Sequence, residues 1–132
     1  MLIKSRSRLN PKQRYLQVAL NNTLEEARAI IGALPASDQI LIEAGTPLIK
    51  QYGAMAIRQL ADWYGQKVAN PYVVADLKMM DRGGTEAELA ASAGAAAAVA
   101  LGNAPIESLN EFIGQCNALG LDAMVDMMNV AY

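Results

Sequence analysis

The sequence predicts an α/β chain of parallel β-α repeats, with about five strands and four helices. Three observations carry this. Short apolar runs alternate with helical segments along the chain. Cap and turn residues separate the two kinds of segment. Polar residues close successive strands: Asn21, Glu43, Asp76 with Lys78, and Asp126. Strands that alternate with helices pair in parallel through crossovers, so those strand ends share one face of the sheet.

The strands are expected near residues 16–20, 39–43, 72–76, 97–101 and 122–126, within about two to four residues at each boundary. After the first strand, Thr23 caps a helix with Glu25 and Glu26 in its first turn, where the helix dipole favours them. That helix runs to about Leu34 and stops near Pro35. Thr46-Pro47 opens the second helix, which reaches about Tyr64, with Gly53 the place where it would break. Thr85 caps the third, and Glu88 completes a capping-box pattern. Propensity alone makes the alanine-rich stretch Ala87–Ala100 one helix. Gly94 and the run Val99-Ala100-Leu101-Gly102, with the alternation of the whole chain, divide it instead into a helix and a buried fourth strand. Pro105 starts the fourth helix, through Ala118, and Gly120 ends it.

The 132 residues suffice for one domain with a real core, and 53% hydrophobic against 18% charged residues argues against disorder. A net charge of −2 gives no electrostatic case for nucleic acid, and no apolar stretch suits a membrane span. The single cysteine, Cys116, excludes an intrachain disulfide and fits a reducing compartment, so a cytoplasmic location is expected. Its place on a helix face makes it a packing residue rather than a nucleophile. Histidine is absent, which removes histidine triads, histidine metal ligands and an imidazole base. Any chemistry must run on Asp, Glu, Lys and backbone dipoles. Residues 1–14 hold Lys4, Arg6, Arg8, Lys12 and Arg14 and no acid, and read as a basic arm ahead of one domain at 15–132.

The stretch Asp76-Leu77-Lys78-Met79-Met80-Asp81 holds a lysine between carboxylates at a strand-to-helix turn. Such turns build active sites in α/β proteins, and the same residues would also suit an ordinary solvated turn. Each carboxylate favours the charged lysine, and the lysine lowers the carboxylate pKa values.

Asp76, Lys78 and Asp81 match the Asp-x-Lys-x-x-Asp signature of the orotidine monophosphate decarboxylase superfamily. Around them, Val74–Asp81, Ile42-Glu43-Ala44-Gly45-Thr46-Pro47-Leu48-Ile49 and Met124-Val125-Asp126 resemble its hexulose-phosphate synthase branch. The resemblance covers about residues 15–130 and implies an incomplete (β/α)8 TIM barrel. It also implies a homodimer or higher homo-oligomer, with Met79, Met80 and the segment after Asp81 near the interface. Magnesium would sit at Glu43 and Asp76, Lys78 would stabilise an enediolate, and Asp81 would reach the partner's site. Asp126 and Asn21 complete the candidate catalytic set. The implied reaction is aldol addition of formaldehyde to ribulose 5-phosphate, or its reverse, on a sugar-phosphate substrate with neither nucleic acid nor membrane as partner.

Two departures qualify that expectation. The branch ends its first strand in Ala-Leu-Asp, where this chain has Ala19-Leu20-Asn21, and asparagine carries no charge. A full barrel of this type needs at least about 200 residues, so a truncated barrel with weak or no activity in isolation is expected. A non-catalytic truncated barrel acting in assembly or dimerisation is the alternative. Glu43 stands where the decarboxylase proper has a lysine, which argues against decarboxylation of orotidine phosphate.

Overall fold

A computed structural model describes residues 7–131. Lys4 and Arg6 of the basic arm lie outside them. The elements follow one another as β1 (Leu16–Leu20), α1 (Leu24–Ala33), β2 (Ile40–Ala44), α2 (Thr46–Tyr52), α3 (Ala54–Gly65), β3 (Tyr72–Met79), α4 (Gly83–Ser92), β4 (Ala97–Leu101), α5 (Ile106–Leu119) and β5 (Asp122–Asp126). The five strands form one parallel sheet in chain order. Among the described residues there are five helices rather than four, because Gly53, at φ +67°, breaks the second predicted helix into α2 and α3. A left-handed φ is open to glycine at little cost.

Two other boundaries move. β3 runs past its predicted end at Asp76 to Met79, because a bulge lets the chain continue along β4 after Asp76. α4 starts at Gly83, so Thr85 lies inside the helix and caps nothing. Glu88 accepts instead from the Gln115 side-chain amide on α5. Thr23 does cap α1, its hydroxyl accepting from the Glu26 N–H at 3.1 Å.

Side chains alternate across a strand, and the register carries that alternation from strand to strand. One face of the sheet holds Ile40, Ile42, Ala44, Val73, Ala75, Ala98 and Ala100, which pack with the buried sides of the helices. The alanine-rich stretch becomes a central strand because β4 is paired on both sides, where burial outweighs helix propensity. The other face carries a smaller apolar cluster of Leu41, Tyr72, Val74, Ala97 and Val99. Leu9 of the arm, Tyr15 just after it and Met124 pack against it.

The described part of the arm thus lies beneath the sheet, at the N-terminal ends of the strands. The Ser7 hydroxyl donates to the Asp122 carboxylate at 2.8 Å, and the Tyr72 phenol donates to the same oxygen at 2.6 Å. The Arg8 guanidinium lies 5.5 Å from the Tyr72 ring centre and donates to the Asn70 carbonyl.

Candidate active site

At the opposite, C-terminal ends of the strands, the inner face turns polar. β1 and β2 are paired with Gln17 beside Leu41 and Ala19 beside Glu43. β2 and β3 place Glu43 beside Val74, two residues before Asp76. β4 and β5 place Val99 beside Met124 and Leu101 beside Asp126. These pairings bring one set of side chains together, and Gln17, Glu43, Asp76, Lys78, Val99, Met124, Val125 and Asp126 line a cavity of about 380 Å³.

Lys78 reaches this cavity through local distortion. Between Ala75 and Met79, β3 carries more residues than β4 beside it, and Lys78 takes a left-handed φ of +46°. Such bulges commonly re-aim a side chain next to a site. The ammonium donates to Asp76 Oδ2 and to Asp126 Oδ2, both at 2.8 Å, and so ties β3 to β5. The hydrogen bond to Asp126, then that to Asp76, holds the Lys78 pKa above its ordinary value. Lys78 and the Met128 N–H together hold Asp126 below the usual carboxylate range. The Thr46 hydroxyl, at the first residue of α2, donates to the Asp76 carbonyl at 2.7 Å and ties α2 to β3 just where its bulge begins.

Glu43 is in a different state. Burial pushes its pKa up, Gln17 opposes that through a hydrogen bond from its side-chain amide to Oε2, and the neighbouring charge of Asp76 raises it further. Asp76 is 8% exposed, and its Oδ1 is buried without a hydrogen-bond partner. An unpaired buried carboxylate oxygen beside a second carboxylate is a donor set for a hard cation. Among the described residues no group of three or more His, Cys, Asp or Glu is placed to hold a metal ion. Two carboxylates nonetheless fit magnesium, which is commonly held by one or two together with water and substrate oxygens.

The structure therefore brings Glu43, Asp76, Lys78 and Asp126 together. It places Asn21 and Asp81 elsewhere. Asn21 lines a separate small pocket beside Thr23 and Glu26 and packs on Gly45. Asp81 is exposed and accepts from the Arg82 N–H at 2.8 Å. Met79, expected near an interface, is fully buried in the core, whereas Met80 is exposed. Gln17 was not anticipated from the sequence. The signal available for it was its place three residues before Leu20 on the strand, which the register with β2 turns to the same face as Glu43.

Comparison with known proteins shows the family and the fold. Residues 14–131 match the model of the orotidine 5'-phosphate decarboxylase / HUMPS family. The chain is 38% identical over 117 residues to the bifunctional enzyme Fae/Hps of Methanospirillum hungatei JF-1, covering 88% of this chain and 29% of that protein. It superposes on 3-hexulose-6-phosphate synthase from Salmonella typhimurium with a TM-score of 0.80 and 32% identity, over 89% of this chain and 54% of that one. For KGPDC from Streptococcus mutans the TM-score is 0.71 and the identity 26%, over 85% and 52% of the two chains. The chain thus spans under a third of the curated relatives it matches and about half of these solved structures. Its fold is a five-stranded part of the TIM barrel that these structures share.

Proposed function

Because the chain belongs to the orotidine 5'-phosphate decarboxylase / HUMPS family, we propose that it carries the enediolate-stabilising part of a 3-hexulose-6-phosphate synthase-like aldolase. The substrates would be ribulose 5-phosphate and formaldehyde. The observation that carries this reading is Lys78, held between Asp76 and Asp126 at the mouth of the sheet, beside Glu43.

A lysine with a raised pKa stays an ammonium at neutral pH. It therefore cannot attack a carbonyl as a free amine, which disfavours a Schiff-base aldolase. It is suited instead to meeting negative charge as that charge grows on an enediolate oxygen. The two carboxylates hold the ammonium in place before substrate arrives, so little reorganisation is needed at the moment of reaction. Glu43 and Asp76 would hold magnesium, which when bound supplies Lewis-acid polarisation of the substrate's oxygens. Glu43 in place of a lysine continues to speak against orotidine phosphate as substrate.

The partial reaction gives the most direct test. Enediolate formation exchanges the C1 proton of ribulose 5-phosphate with solvent, water or buffer base taking the proton while Lys78 meets the charge left on oxygen, and needs no formaldehyde. In D2O with Mg²⁺, the chain should catalyse that exchange, and Lys78→Ala should cut it by about 10²–10³-fold, the usual loss for one charge-stabilising group. Equal exchange in parent and variant would overturn the reading. Net synthesis of hexulose phosphate by the 132-residue chain should stay below about one turnover per second, slow for an ordinary enzyme. Among the residues lining the cavity, Val125 is exposed to solvent, and water weakens electrostatic stabilisation.

The non-catalytic assembly reading rests on exposed Val125, Met127 and Met128. It predicts no proton exchange at all, and the D2O experiment separates the two.

A further inference from the structure

Glu43 and Asp76 each have one oxygen engaged by a neighbouring side chain. Asp76 Oδ2 accepts from Lys78, and Glu43 Oε2 accepts from Gln17. The second contact depends on a gap. Ala19 stands beside Glu43 in the β1–β2 register, and its methyl group leaves room above Gln17. Gln17, one layer lower on the same face, reaches up through that space to the carboxylate. A bulky residue at position 19 would close the path.

The chemistry of the donor matters as much as its position. An amide N–H orients a carboxylate without neutralising it. An ammonium or guanidinium at the same place would cancel the charge a cation needs. Carboxylates that ligate metals are themselves commonly held by such outer partners. Lys78 is already committed to two carboxylates, so Gln17 is the neutral donor found on Glu43.

We propose that Gln17 is a positioning residue, fixing one oxygen of Glu43 so that the carboxylate is presented, still charged, to a divalent cation beside Asp76. This rests on the metal site proposed above.

Calorimetric titration of Mg²⁺ into the whole chain tests it, in four forms: parent, Gln17→Leu, Glu43→Asp and the double variant. Glu43→Asp keeps a carboxylate but draws it back by one methylene from Gln17. Gln17→Leu should weaken Mg²⁺ about tenfold, within the range for outer-partner substitutions. Its thermal midpoint should stay close to the parent's, since Gln17 is exposed and outside the core. In the Glu43→Asp background it should add no further loss. Unchanged affinity in Gln17→Leu would overturn the proposal, as would an equal loss in both backgrounds. A metal-free arm uses the ¹⁵N NMR signal of the Gln17 side-chain amide, which should move in Glu43→Asp without Mg²⁺. An unmoved signal overturns the contact itself. A parent that binds no Mg²⁺ while the amide signal still moves overturns the metal reading instead, so the two failures are distinguishable.

Discussion

Lys78 combines two unusual properties, a left-handed backbone and a side chain shared by two carboxylates. The backbone is costly for an L-residue, about 1–2 kcal/mol, and more for a β-branched one. Asparagine tolerates that region, whereas valine does not. Both Lys78→Asn and Lys78→Val lose the ion pairs, so their difference isolates the backbone. Lys78→Val should be less stable than Lys78→Asn by about 1–2 kcal/mol in urea denaturation. At the other end of the sheet, burial and the hydrogen bond to Asp122 push the Tyr72 phenol well above its ordinary value. The folded state thus holds that proton more tightly than the unfolded chain. The resulting stability is complete below the unfolded pKa of about 10 and is lost as pH rises toward the folded value. Tyr72→Phe should cost about 1–2 kcal/mol at pH 8, and its urea midpoint should fall less than the parent's between about pH 9 and 11. Equal slopes would show that Tyr72 is not responsible. Glu43, Asp76, Lys78 and Asp126 were legible in the sequence because each lies at or just past the end of an apolar run, and the β-α alternation puts those ends on one face of the sheet. Gln17 was not, because a polar residue early in a first strand reads as solvent-facing until the register with β2 is known.

Among the elements, α4 and α5 depend on a glycine in a way α5's own glycine does not share. A Cβ at Gly83 would run into the Ser108 carbonyl oxygen and the Phe112 nitrogen, both backbone of α5. At Gly114, inside α5, a Cβ meets nothing within 4 Å. Gly83→Ala should therefore destabilise by roughly 1–3 kcal/mol, the usual cost of overpacking. Gly114→Ala should stabilise by about 0.5–1 kcal/mol, because the substituted helix loses less chain entropy on folding. Thermal denaturation of both variants checks the pair, and the same sign in both would contradict it. The same glycine explains why the start of α4 was misplaced from the sequence. Thr85-x-x-Glu88 has the form of a capping box, but close packing of Gly83 on α5 draws the helix start three residues earlier, with Arg82 in the cap position. Packing between elements is not written in local capping chemistry. The split of the alanine stretch was legible only because the alternation of the whole chain was weighed above local propensity.

For the whole molecule, the sheet is open at both sides. Among the described residues β1 and β5 each have one neighbour, and Leu16 on β1 is 60% exposed. Val125 on β5, Met127 and Met128 just after it, and Ile106 and Ile113 on α5 are exposed as well. Unpaired strand edges flanked by apolar side chains favour pairing with another chain. A second copy of this chain is the expected occupant, so sedimentation at micromolar concentration should show a dimer or larger. A stable monomer would contradict that. The helix-covered face was legible from periodicity. The floor was not, because the arm's basic residues suggested a tail, while Leu9 and Tyr15 do the packing.

That floor has a practical consequence. The arm meets the sheet at Tyr72 and Asp122, the first residues of β3 and β5, whereas Asp76 and Asp126 each lie four residues further along their strands. A five-residue strand separates the two levels by about 15 Å. Ser7 itself therefore lies on the side away from the carboxylate cavity, so an affinity tag or a sensor chip joined there would be tethered on that side. Immobilised by that end, the protein would present its carboxylates to the bulk solution. Attachment through the segment following Asp126 would crowd them.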